Sequence, residues 1–175
     1  PVDEMLAKAE ALYAQGKYEQ ALLGFKQAAD QGLPETQTKY GRLCLEAKGA
    51  LPGHGFVEAE RYLRLAADQG YAEAQWRLAF LYKAGAEGVE QNYKEAARYF
   101  TLAADQGDVT GQSALGYMYE CGVGVGKNIK EAVRLYKLAV AQGNAYAQND
   151  LARLYACGIE VEHNVDEAIR LYTLA

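Results

Sequence analysis

The residues that could do chemistry are few, and their spacing works against it. The only two histidines, His54 and His163, both fall in loop-like stretches. A zinc or nucleophilic site wants His, Cys or carboxylates converging at fixed spacing, for example two His at i and i+4 on one helix face. No such pair exists in the chain. The run Gly122-Val123-Gly124-Val125-Gly126-Lys127-Asn128 looks at first like a phosphate cradle, which needs Gly, four residues, then Gly-Lys-Ser/Thr so that backbone N–H groups and a metal-holding hydroxyl meet the phosphates. Cys121 stands where the first Gly belongs and Asn128 where the hydroxyl belongs, and the preceding segment reads as helix, not strand. Cys121 and Cys157 each precede a helix-ending Gly. A helix C-terminus carries the dipole that disfavours a thiolate, so these read as small structural residues. No catalytic residue, metal site or cofactor site follows from these patterns.

The elements that position these residues come from an internal repeat. Ala-Ala-Asp-Gln-Gly occurs at 28–32, 66–70 and 103–107 and returns as Ala139-Val140-Ala141-Gln142-Gly143, at spacings of 38, 37 and 36. A period of that length holds one pair of helices, which cannot bury its apolar face alone and must stack on its neighbours. The units run 1–32, 33–70, 71–107, 108–143 and an incomplete 144–175. In each, a first helix (about 3–14, 35–47, 72–84, 109–121, 145–157) precedes a second (about 18–30, 57–68, 93–105, 129–141, and from 165 onward). Gly32, Gly70, Gly107 and Gly143 close the second helices with a left-handed backbone. The loops from Gly85, Gly122 and Gly158 end at Asn92, Asn128 and Asn164, which cap the next helix. Val89, Val125 and Val161 are expected to plug those loops onto the helix pair. In the second unit Lys48-Gly49-Ala50-Leu51-Pro52-Gly53-His54-Gly55 replaces this loop and is expected to be more mobile.

One unit carries Ala74-Gln75, Leu78-Ala79, Leu81-Tyr82, Gly85, Gly88-Val89, Asn92, Lys94-Glu95-Ala96, Tyr99-Phe100, Ala103-Ala104 and Gly107. That pattern resembles Sel-1-like repeats, the branch of the tetratricopeptide superfamily with a longer loop inside each hairpin. Unit 1–32, with the short turn Gln15-Gly16-Lys17-Tyr18, is closer to a plain tetratricopeptide. The resemblance covers nearly the whole chain. It implies an all-α fold, a right-handed α/α solenoid of stacked antiparallel hairpins, and a scaffold role of the kind bacterial relatives play. It also brings alternatives: cell-wall or β-lactam binding, as in cysteine-rich relatives, or a purely architectural spacer.

Composition bounds the partners. With 23 Asp and Glu against 18 Lys and Arg, the net charge is -5, the wrong sign for neutralising nucleic-acid phosphates. No stretch approaches the roughly 20 apolar residues that span a bilayer. Cys121 and Cys157 sit at matching positions of successive units, on helices about 10 Å apart, whereas a disulfide needs Cα atoms within about 7 Å. Three unpaired thiols are therefore expected, which favours a reducing, cytoplasmic compartment. The start at Pro1 leaves a removed signal peptide open. The stop at Leu174-Ala175, inside a second helix and without a polar cap, points to a longer array or to a covered end, self-association included.

Function should sit where the repeats disagree. The apolar positions Ala74, Leu78, Ala79, Leu81 and Tyr82 form a core-facing stripe, and the opposite side of the first helices lines up variable residues. One row is Glu35, Glu73, Thr110, Tyr146; the next Thr38, Trp76, Ser113, Asn149; a third Arg42, Phe80, Tyr117, Arg153. Trp76, Phe80 and Tyr117 are read as apolar anchors for a peptide or protein partner on a concave face. Arg42, Arg153, Glu73 and Lys83 tune its charge, and Tyr146 and Asn149 extend it. Aromatic residues and Arg are the types most enriched at binding hot spots. Glu95, Glu131 and Glu167 with Lys94, Arg98, Lys130, Arg134 and Arg170 read as a solvated convex face.

Overall fold

A computed structural model describes residues 1–47, 55–158 and 163–174. The irregular loop 48–54 with His54, the segment 159–162 with Val161, and Ala175 lie outside the described residues. Among the described residues ten helices follow one another: α1 (Val2–Ala14), α2 (Tyr18–Ala29), α3 (Pro34–Ala47), α4 (Phe56–Asp68), α5 (Ala72–Ala84), α6 (Tyr93–Asp105), α7 (Val109–Cys121), α8 (Ile129–Ala141), α9 (Ala145–Cys157) and α10 (Val165–Leu174). Their ends fall within about a residue of those the sequence predicts, and the fold is an all-α repeat solenoid. The helices group into two compact units, Pro1–Asn92 and Tyr93–Ala175.

Local chemistry sets the helix ends. Asp108, Asn128, Asn144 and Asn164 each accept a hydrogen bond from the backbone N–H three residues on, at 2.7, 3.1, 2.8 and 2.9 Å. Each thereby satisfies one of the donors a helix N-terminus leaves open. Gly122 and Gly158 close α7 and α9 in the left-handed region, where a Cβ would be strained. Val89 is buried and Ala86 and Val89 exchange backbone bonds of 2.9 Å, so the plug is in place there. Val125 is half-buried.

In the first unit α1 packs on α2, α2 on α3, α3 on α4 and α4 on α5, and the two first helices α3 and α5 also meet. Its core joins Ala9, Ala21, Leu22, Phe25, Tyr40, Leu43, Cys44, Ala59 and Tyr62. The rings of Tyr40 and Tyr62 meet edge to face, 4.7 Å apart. The second unit repeats the order from α6 to α10, around Ile129, Ala132, Tyr136, Ala139, Ala147, Leu151, Ala152, Leu154 and Leu171. Where α3 crosses α4 and α7 crosses α8, the side chain on the first helix is reduced to hydrogen: a Cβ on Gly41 would lie 2.7 Å from Leu63 Cγ, and one on Gly116 would lie 2.8 Å from the Tyr136 ring.

The glutamine of the repeated pentapeptide joins one repeat to the next. Gln69 Nε2 donates to Gly32 O at 3.1 Å and to Gln37 Oε1 at 2.9 Å. One repeat pair further on, Gln142 Nε2 donates to Gly107 O at 3.0 Å and to Gln112 Oε1 at 2.8 Å. Gln37 and Gln112 are buried, so these bonds satisfy acceptors that water does not reach.

Candidate partner-binding surface

In the first unit, α3 and α5 present the predicted residues Arg42, Glu73, Trp76, Phe80 and Lys83. Trp76 is half-buried and Phe80 exposed. Four residues apart on one helix, they stack edge to face with ring centres 6.0 Å apart and planes at 83°, a favoured aromatic geometry. The Arg77 guanidinium lies 4.4 Å from the Trp76 ring centre and donates to Glu73 Oε1 at 2.9 Å, so Glu73 spends its charge on its own helix. Arg42 is likewise bonded to Glu46 at 3.3 Å. Lys83 is half-buried near the end of α5, and its carbonyl accepts from Gln91 at 2.9 Å. Thr38, one of the variable positions, is buried, with its hydroxyl donating to Pro34 O at 2.7 Å. Its row is therefore a surface on α5 and α9 but not on α3.

In the second unit the predicted residues are Tyr117 on α7 and Tyr146, Asn149 and Arg153 on α9. Tyr117 is 43 % exposed and Tyr146 79 % exposed. Between them lies a charged cluster that the row-by-row sequence comparison misses. Arg153 Nη2 donates to Glu120 Oε1 at 2.6 Å and to Asp150 Oδ1 at 3.4 Å, and Tyr136 donates its hydroxyl to Glu120 Oε2 at 2.9 Å. Burial pushes the Asp150 carboxyl above its ordinary range, with Arg153 pulling it back and Glu120 adding to the rise. The hydroxyl of Tyr117 also titrates late, because of its hydrogen bond to Cys121 and the nearby charges of Glu120 and Asp150. Tyr117, Glu120 and Asp150 thus share one electrostatic neighbourhood. The three-residue spacing of Asp150 and Arg153 was the available signal; the Glu120 contact crosses between helices and leaves none.

The second helices carry ion pairs at i and i+3, Glu95 with Arg98, Glu131 with Arg134 and Glu167 with Arg170. Leu65, Leu102 and Leu138 stand among the exposed residues of α4, α6 and α8, so this side is less uniformly polar than charge patterning suggests. In the second unit a cavity of about 360 Å³ opens between α6, α7 and α8 over Ala104, Asp105, Leu115, Tyr119, Arg134 and Leu138.

All three cysteines are free, Cys44 buried and Cys121 and Cys157 exposed. Burial pushes the Cys44 thiol up to about 11, away from nucleophilic use. Among the described residues no cluster of His, Cys, Asp and Glu is arranged to hold a metal ion, and no helix is long and apolar enough to cross a membrane.

Comparison with known proteins agrees with this architecture. Among solved structures, a protective antigen of uropathogenic Escherichia coli displaying an SLR fold superposes with a TM-score of 0.86 and 30% identity, over 99% of this chain and 37% of that one. A Sel1 repeat protein from Oxalobacter formigenes gives 0.81 and 29%, over 97% of this chain and 66% of that one. The chain therefore spans only part of the length of either. Helicobacter pylori cysteine-rich protein B shares the fold at a TM-score of 0.61 and 23% identity, over 81% of this chain and 96% of that one. No curated protein matches. The Sel1 repeat matches in four consecutive copies, at residues 34–71, 72–108, 109–144 and 145–175, and the chain belongs to the Sel1 repeat family.

Proposed function

We propose that this chain is a non-enzymatic adaptor that holds a peptide or protein partner on the exposed faces of its first helices. Sel1 repeat proteins commonly serve as protein-interaction scaffolds. The observation that carries the finer reading is the set of large aromatics turned outward on those helices: Phe80 and Tyr117 at 40 % and 43 % exposed, Tyr146 at 79 %. Side chains of this size gain most by entering a partner's pocket. Trp76 and Phe80 are the anchors of the first unit; Tyr117 and Tyr146, with Asn149 and Arg153, are those of the second. The edge-to-face lock of Trp76 on Phe80 and the Arg77 guanidinium on the indole hold the first pair in place before a partner arrives, which lowers the ordering cost of binding.

The experiment places a photo-crosslinking amino acid at position 80, and separately at exposed Arg98 on α6, in the full chain in host lysate. One dominant partner crosslinked from position 80, absent from position 98 and lost on Trp76→Ala in a variant that melts like wild type, is the expected result. A partner crosslinked from position 80 that Trp76→Ala leaves unchanged would refute the aromatic anchors, and no specific crosslink from position 80 would leave the chain an architectural spacer.

A further inference from the structure

The two first-helix surfaces differ in how their charges are matched. On α3 and α5 Glu46 pairs with Arg42 and Glu73 with Arg77, one acid to one base at helical reach. On α7 and α9 two carboxylates, Glu120 and Asp150, converge on a single guanidinium nitrogen of Arg153. Glu120 is held from its other oxygen by the Tyr136 hydroxyl, so its position is fixed from α8, by a neutral donor. The cluster therefore keeps an excess of one negative charge. Glu120 and Asp150 side chains are 13 % and 33 % exposed, partly withdrawn from the water that would otherwise screen it.

Two aromatic rings border that charge. Tyr146, Asn149, Asp150 and Arg153 lie at i, i+3, i+4 and i+7 of α9, a single stripe. Tyr117 reaches the same neighbourhood from α7. An exposed ring beside an under-compensated carboxylate offers a cation both a π face and a counter-charge.

We propose that the α7–α9 face recognises a basic peptide segment, one arginine of which lies against Tyr146 and pairs with Asp150. This rests on the reading of the first helices as the partner-binding faces and gives the partner its chemistry. Arginine suits the surface better than lysine. Its planar guanidinium stacks on a phenol ring while donating in a fork to the carboxylate, and it is more weakly hydrated than an ammonium. Asp150 is the carboxylate with capacity to spare, since its contact with Arg153 is the longer of the two and its side chain the more exposed. Glu120 remains with Arg153 and Tyr136. The negative charge of the whole chain, -5, draws a basic segment in at long range.

The test pans a displayed library of random twelve-residue peptides against the full chain and against Asp150→Asn and Tyr146→Ala. Circular dichroism and thermal melts confirm that both variants fold as wild type. Arginine enriched at least threefold over the input in wild-type binders is expected. A selected peptide should lose about tenfold in affinity on Asp150→Asn, on Tyr146→Ala, and on exchange of its arginine for citrulline, which keeps the shape and removes the charge. Leu102→Ala, on the exposed side of α6, should leave that affinity unchanged. Binders without basic enrichment, or basic binders indifferent to Asp150→Asn, would overturn the arginine assignment while leaving a peptide-binding scaffold standing. A library from which wild type selects nothing would sink both.

Discussion

Gly116→Ala tests the packing that holds the candidate surface together. A methyl group at this buried position of α7 would sit 2.8 and 2.9 Å from Cε1 and Cδ1 of Tyr136 and 3.4 Å from Ala132 O. Ordinary Cβ contacts are several tenths of an ångström longer. Tyr136 is wholly buried, and its hydroxyl is committed to Glu120, so the ring has nowhere to go without dragging that bond. Two effects oppose each other. Alanine gains about 1 kcal/mol over glycine in a helix interior, and overpacking a filled core costs about 1–3 kcal/mol. Because the ring is rigid and fixed at its far end, the clash wins and the net loss is about 1–2 kcal/mol, or a melting temperature lower by about 2–8 °C for a chain of this size. Gly126→Ala is the internal control: its φ is not positive, and a Cβ there meets nothing within 4 Å. That variant should be unchanged or more stable by up to about 1 kcal/mol. Thermal and urea melts of both variants decide the matter. Gly116→Ala as stable as Gly126→Ala would refute the argument that the Tyr136 ring is pinned.

Two further outcomes follow from the same geometry. Gln142→Leu removes the donor to Gly107 O and buried Gln112 Oε1 and should cost about 1–3 kcal/mol, whereas the double variant Gln112→Leu/Gln142→Leu should recover most of the loss, because an unsatisfied buried acceptor is worse than none; equal urea midpoints for the two would count against the clamp. Tyr40, Tyr62 and Tyr136 are held above the ordinary tyrosine range, chiefly by burial, and Tyr82 is pushed up to about 12 by burial and its bond to Glu60. Since the neutral forms are favoured only in the fold, their contribution is complete below about pH 10 and falls as pH rises, by up to about 1.4 kcal/mol per pH unit for each. Tyrosinate absorbance should therefore develop in an early set and a late set that appears with loss of helix, and a single step near pH 10 in a chain that stays folded would contradict the burial.

The helices were legible because their signals are local. A Gly that takes positive φ ends α5, α7 and α9, and an Asp or Asn three residues ahead of an open N–H begins α7, α8 and α9, whatever the rest of the chain does. The charge pattern was legible only in part. Glu73 with Arg77 is an i,i+4 pair on one helix, so its consequence, that Glu73 is already neutralised, was open to a reader of spacing. Arg153 with Glu120 was not, because the two are 33 residues apart and meet only once α7 and α9 lie side by side. Thr38 shows the opposite failure. Its repeats disagree at that position, yet in α3 its hydroxyl folds back onto Pro34 O and the side chain is buried, so variation there reflects packing rather than recognition.

The pentapeptide's glutamine explains why surface variation can be separated from packing at all. Its Ala pair packs the second helix and its Gly turns the chain, both expected of any helical hairpin. Gln69 and Gln142, however, each hold the corner of the preceding repeat and a buried glutamine of their own first helix through the same two bonds. Such bonds have a definite direction and length, and so set the rotation of one hairpin on the next in a way apolar contacts alone do not. With these bonds at the hairpin ends, an exposed residue on the outer stripe of a first helix need not take part in stacking. Tyr146, at 79 % exposed, makes no contribution to the core that would account for an aromatic ring there. A large ring with no packing role, beside a carboxylate only half matched by its arginine, is what the proposed contact with a basic partner accounts for.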